Sequence, residues 1–197
     1  MQIIALLKTF IYLVASSLFL PVLILLSCLF VWMLIYSGSF FRTWLERYRT
    51  KTEPGQLPEK IVSGSYHGHL PPEVEGIVKT IETLKTSDNP VLILNLLRDA
   101  EHRMWKSLDK LKLMIRIGPG LGLIGTLIPM GTGLASLGQG DLNQLSQDLI
   151  VAFTTTVVGM ALGMLAYFYY TVQRRWVEQD IKNMELAAEL LSGRMQP

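Results

Sequence analysis

The chain has 197 residues, half of them hydrophobic and only 17% charged, with a formal net charge of +2. A single cysteine, Cys28, excludes a disulfide framework, and so small a net charge gives no ground for a nucleic-acid partner. The mean hydropathy of +0.34 is high for a water-soluble enzyme, so the placement of the apolar residues becomes the first question.

Taken from the N-terminus, Phe10–Tyr36 contains no Asp, Glu, Lys or Arg. A hydrocarbon layer of about 30 Å needs about 20 helical residues, so this stretch is long enough to span it. It is far longer than the apolar core of a secretory signal, and Phe40, Phe41 and Arg42 follow it instead of a small-residue cleavage site. It reads as an uncleaved anchor, within an N-terminal region 1–41.

The next region, 42–114, has two characters. Thr50–Pro72 is punctuated by Pro54, Gly55, Pro58, Gly64, Gly68, Pro71 and Pro72, and reads as an irregular linker. Pro72, Glu73 and Glu75 mark a helix start, with Ile77, Ile81 and Leu84 as its apolar face. Asn89 and Pro90 open a second helix, predicted to run through Leu97, Met104, Trp105, Leu108 and Leu111 into the next apolar stretch. So short a region cannot bury much core alone and is expected to extend a membrane bundle.

Two further charge-free stretches, Ile117–Gly140 and Leu149–Gln173, predict a transmembrane hairpin over 115–175, with spans at about 115–138 and 149–173. Half of the sixteen glycines fall between Arg116 and Asp148. Glycine is a poor helix former in water, but in lipid it lets helix backbones press together. Past Arg174 and Arg175, the positions Val177, Ile181, Met184, Ala188 and Leu191 recur at helical spacing, so a C-terminal amphipathic helix is expected over 176–197. Its partner surface would be the second helix of the 42–114 region or a neighbouring subunit. The fold class is therefore all-α: a polytopic membrane protein with three transmembrane helices and helical extensions outside the bilayer.

Arg42, Arg47, Arg49 and Lys51 follow the first span, Lys106, Lys110, Lys112 and Arg116 precede the second, and Arg174 and Arg175 follow the third. The turn between the second and third spans holds Asp141 and Asp148 but no Lys or Arg. The positive-inside rule then sets the N-terminus and that turn outside, and the 42–116 region and C-terminus inside. Lys8 is the one dissenting charge.

The hairpin carries the residues of interest. Gly118, Gly122, Gly125, Pro129, Thr132 and Ser136 form a stripe of small residues on one span, and Ala152, Thr156, Gly159, Gly163 and Ala166 form another. Such stripes bring helices into close contact, and packing alone would account for any single glycine among them. Hydroxyls at membrane depth (Thr126, Thr132, Thr154, Thr155, Thr156) ordinarily bond their own backbone. Pro129 adds a second feature, because it has no N–H to give the Gly125 carbonyl; that free oxygen beside Thr126 offers an oxygen pair for water or a cation.

Neither Ile117–Gly140 nor Leu149–Gln173 contains Asp, Glu, His, Lys or Arg. Proton relays across membranes generally need an ionisable group, so a proton-moving bundle would have to borrow its carboxylate from another polypeptide. Elsewhere, His67, His69 and His102 lack cysteines or carboxylates at ligand spacing and read as solvated side chains, not a metal site. No phosphate loop and no nucleophile arrangement is present, so no catalytic residues and no cofactor are expected.

Pro119-x-x-Gly122-Leu123-x-Gly125-Thr126, followed about thirty residues on by Thr155-Thr156-x-x-Gly159, resembles the MotA/TolQ/ExbB proton-channel family, and the order of spans resembles its TolQ/ExbB branch. Val151 stands where that branch usually has Glu, and Pro129 replaces a commonly small residue. The resemblance implies a homopentamer in the inner (plasma) membrane around a pore. Two copies of a single-span partner of the ExbD/TolR/MotB type would fill the pore and bring the membrane Asp that carries H⁺ or Na⁺. On this basis Thr126, Thr156, Thr155, Gly125 and Pro129 line the ion path, while Gly118, Gly122, Gly159 and Gly163 pack helices, and the protein is a stator-like motor subunit, not an enzyme. A non-conducting scaffold ring and a small self-contained pore are the competing expectations.

Overall fold

A computed structural model describes residues 2–49, 61, 70–84 and 90–191. The described residues form helices only: α1 (Gln2–Arg49), α2 (Pro72–Leu84), α3 (Pro90–Ser107), α4 (Asp109–Leu137) and α5 (Leu142–Leu191). Three stretches, Ser16–Arg49, Val91–Leu137 and Leu142–Leu191, contain windows long and apolar enough to cross a membrane. Most of the 50–72 segment, Asn89, and the histidines at 67 and 69 lie outside the described residues.

The chain divides into two units, Met1–Gly38 with Lys110–Tyr169, and Ser39–Asp109 with Tyr170–Pro197. The first is built inside out by the standards of a water-soluble bundle. Past the buried Leu111 and Met114, the buried positions on α4 are small or compact, Gly118, Gly122, Gly125, Pro129 and Gly133, whereas Leu123, Leu127, Leu134, Phe153, Val157 and Met164 are exposed. Lipid chains are as apolar as these side chains, so the large residues lose nothing by facing outward and the small ones are free to make the helix contact. Along α1, Val22, Leu26 and Met33 are buried at helical spacing, and the Tyr169 hydroxyl meets Ser37 Oγ at 2.8 Å.

The second unit has a conventional apolar core. Val74, Val78 and Ile81 of α2, Ala100, Met104 and Leu108 of α3, and Val177, Met184, Ala187, Ala188 and Leu191 of α5 are buried together with Ile61 and Leu70. The periodicity past Arg175 thus finds its partner surface within this chain. Of the expected α2 face, Ile81 is fully buried and Ile77 packs partly buried against the core, Val74 and Val78 join them fully buried, and the Leu84 side chain lies outside the described residues. One continuous helix was expected from Pro90 onward, but Leu108 interrupts it, its N–H bonded to the Trp105 carbonyl at 3.1 Å.

A charged contact also ties this unit together. Arg47 near the end of α1 donates from both terminal nitrogens to Asp180 of α5, at 3.0 and 2.5 Å, and its guanidinium lies 5.1 Å from the Trp176 ring. Phe40 stacks on Trp176 at 5.3 Å. Asp180 is only 4% exposed, so its charge depends on the two-pronged guanidinium. Replacing Asp180 by Ala leaves Arg47 without its acceptor and is expected to cost about 3 kcal/mol. The check is chemical unfolding of the detergent-solubilised protein, with Arg42→Ala, whose exposed Glu46 pair contributes little, as the comparison.

Candidate functional site

The site candidates lie on the facing sides of α4 and α5. α4 tolerates its glycines because a helix in lipid keeps every backbone group bonded within itself, and the turn between the helices closes at Gly140, whose φ of +81° is the left-handed conformation suited to glycine. Asp141 caps α5, its Oδ1 accepting the Gln144 N–H at 3.0 Å.

The glycines are not equivalent. A methyl group on Gly159 would lie 2.6 Å from the Gly118 carbonyl oxygen and 2.7 Å from Gly122 Cα, and one on Gly163 would lie 2.7 Å from the Pro119 ring. Gly118, Gly122, Gly159 and Gly163 therefore meet backbone to backbone in one patch. Nearer the turn, a methyl on Gly125 would strike the Thr155 side chain at 2.9 Å. Gly120 and Gly131 face open space. This seam leaves no room for water at the level of Gly118–Gly125.

The hydroxyls then sort by position. Thr155 is buried against Gly125 and donates to the Ala152 carbonyl at 2.8 Å. It packs within the seam and satisfies itself on its own helix. Thr126 is half-buried and donates to the Leu123 carbonyl at 2.7 Å, and the exposed Thr154 donates to Ile150. The Thr156 hydroxyl makes no hydrogen bond with the described residues. A methyl on Gly122 would lie 3.5 Å from Thr156 Cα, and Thr126 follows Gly122 by one turn on the same face. Thr126 and Thr156 thus border the same flank of the seam, half-buried, with Gly122 between them. Pro129 is buried in the seam, and the Gly125 carbonyl it leaves without a backbone donor sits at the Thr155 level. The five expected path residues gather over about two helical turns, with Thr155 in the packed seam and Thr126 and Thr156 at its edge.

One pairing was not anticipated. Thr132 Oγ1 donates to Asp148 Oδ2 at 2.8 Å, across the hairpin, and Gln144 Nε2 donates to Asp148 Oδ1 at 3.0 Å. Asp148 precedes Ala152 by four residues and Thr155 by seven, so extending the small-residue stripe one turn back would have reached it. His102 is exposed on α3. Among the described residues no three of His, Cys, Asp and Glu converge as metal ligands would.

Comparison with known proteins gives a family-model match to the MotA/TolQ/ExbB proton channel family over residues 74–186. A protein of Methanothermobacter thermautotrophicus described as a biopolymer transport protein ExbB homologue is 28% identical over 88 residues, 44% of this chain and 32% of its own length. The chain thus spans about a third of that relative. No solved structure matches.

If the Gly118–Gly163 patch holds the hairpin, Gly159→Ala will lower stability by about 1–3 kcal/mol by forcing backbones apart, whereas Gly120→Ala, at a site with open space, will be neutral or stabilising. Thermal unfolding of the two variants in detergent distinguishes them.

Proposed function

Because the chain belongs to the MotA/TolQ/ExbB proton channel family, we propose that it is the stator-like subunit of an ion-driven membrane motor that turns an H⁺ or Na⁺ gradient into mechanical work. It assembles as a homopentamer in the inner membrane, N-terminus outside and C-terminus cytoplasmic, and encloses a single-span partner of the ExbD/TolR/MotB type. The partner contributes the membrane Asp that carries the ion.

The observation that carries this reading is the contrast between seam and flank. The α4–α5 seam is too tightly packed at Gly118–Gly125 to conduct by itself, so an ion path has to run along an outer face of the hairpin, against another polypeptide. Thr126 and Thr156 offer hydroxyls on one such face. Helices α4 and α5 hold no charged residue from Ile117 to Leu137 or from Leu149 to Gln173, which suits a path whose carboxylate arrives in trans. The Thr126 and Thr156 hydroxyls would then stand in for part of the ion's hydration shell, with Gly125, Thr155 and Pro129, packed in the seam, fixing their spacing. The exposed bulky side chains of α1, α4 and α5 are available for lipid and for neighbouring subunits.

Thr156→Val keeps the shape and removes the hydroxyl. Losing one hydrogen bond of about 1.5 kcal/mol in the conducting state corresponds to a fall of about tenfold in ion flux, measured in proteoliposomes holding the chain with its partner. Flux equal to the unsubstituted complex would remove Thr156 from the path. An assembled complex that conducts nothing would favour a scaffold ring.

A further inference from the structure

The proposed path makes no use of the carboxylate that bridges the hairpin, Asp148 on Thr132. α4 ends at Leu137 and α5 begins at Leu142, so at about 1.5 Å per residue Thr132 and Asp148 lie roughly 8 to 9 Å inside the helix ends, below the turn. Asp148 is half-buried and shares the α5 face of Ala152, Thr155 and Gly159, the face that packs on α4. A methyl on Gly133 would come within 3.3 Å of its Cβ.

Its hydrogen bonds describe more than a static pin. Thr132 Oγ1 stands 2.8 Å from Asp148 Oδ2 and 3.0 Å from the Pro129 carbonyl oxygen, yet a hydroxyl has one proton to give. With Asp148 ionised, that proton points to the carboxylate. With Asp148 protonated, the carboxyl O–H donates to Thr132 Oγ1, and the threonine turns its own proton to the Pro129 carbonyl. Every polar atom keeps a partner in both states, so neither state leaves a group unsatisfied. Only the O–H bond at Asp148 forms or breaks, the proton arriving from water at the turn side and leaving from the same oxygen.

We propose that Asp148 is a proton-loading group of this subunit at the turn end of the hairpin, with Thr132 as the positioning residue that rotates between its two acceptors. This inference rests on the ion-conducting reading above and adds to the borrowed carboxylate one that the chain supplies itself. The charged surroundings are sparse. Asp141 caps the Gln144 N–H, α4 carries no charge from Ile117 to Leu137, and α1 has only Lys8 before Arg42, the Lys8 side chain lying outside the described residues.

A purely structural pin and a proton-loading group respond differently to amide replacement. Asp148→Asn keeps an acceptor for Thr132 but takes up no proton, whereas Asp148→Glu keeps the carboxyl. In proteoliposomes of the full chain with its partner, we expect proton flux to fall to background in Asp148→Asn and to persist in Asp148→Glu, with unchanged melting temperature in both. Dicyclohexylcarbodiimide, which attacks protonated carboxyls in apolar surroundings, is expected to label Asp148 in preference to Asp141, less as pH rises, and more in Thr132→Val than in the unsubstituted protein at one pH. Unsubstituted flux in Asp148→Asn, or an Asp148 that stays unlabelled at every pH, overturns the proposal. If the unsubstituted complex conducts nothing, the motor reading fails separately, and the labelling alone decides: pH-dependent labelling of Asp148 upholds its proton uptake, and its absence refutes it. Should Asp148→Asn fail to assemble, the same labelling decides.

Discussion

Two apolar helices in lipid gain almost nothing by hiding methyl groups from each other, so the α4–α5 hairpin has to be held by close approach of its backbones. Gly118 and Gly122 on one helix and Gly159 and Gly163 on the other make that approach, with Gly159 so near that a single added carbon would stand 2.6 Å from a carbonyl oxygen. The positions of the other groups follow from it. Once the glycines are in contact, Gly125 must meet Thr155, and Thr132 must meet Asp148 two turns nearer the loop. The bulky residues are left on the outside, where lipid or another subunit receives them.

The same contact decides what the polar groups are free to do. A seam closed at backbone distance excludes water, so Thr155 within it can only satisfy itself on the Ala152 carbonyl. Thr156, one residue later, is turned about 100° away and keeps its hydroxyl uncommitted among the described residues. Conduction is thereby pushed out of the hairpin to its flank, which makes a second polypeptide part of the proposed mechanism. In the other unit the logic reverses: an ordinary apolar core of α2, α3 and α5 is supplemented by one buried carboxylate, Asp180, held by Arg47. The Asp180 charge tolerates burial there because the guanidinium fork meets both of its oxygens.

Much of this was legible in the residues themselves. Three charge-free stretches of membrane-spanning length announced the helices, and the two stripes of small residues announced the faces that meet. The amphipathic spacing from Val177 to Leu191 announced a buried face, and α2 and α3 cover it. Other features depend on register, which spacing alone does not fix. Thr155 and Thr156 are neighbours with opposite fates, separated only by which one points at Gly125. Asp148 sits just before the apolar stretch, as an outer-turn charge would, although its phase matches the small-residue stripe. Arg47 and Asp180 are 133 residues apart, each within a charged neighbourhood, and no local pattern marks them as partners. Leu108 interrupts a helix with no proline or glycine to signal the break.

In the proposed mechanism this chain builds the wall of an ion path whose principal carboxylate comes from a partner. That mechanism is tested most directly by measuring proton or sodium flux in liposomes containing the chain alone, the chain with its single-span partner, and the chain with that partner's membrane Asp replaced by Asn. Flux only in the second preparation is the expected result. Conductance from the chain alone, or equal flux with and without the partner's carboxylate, would contradict it.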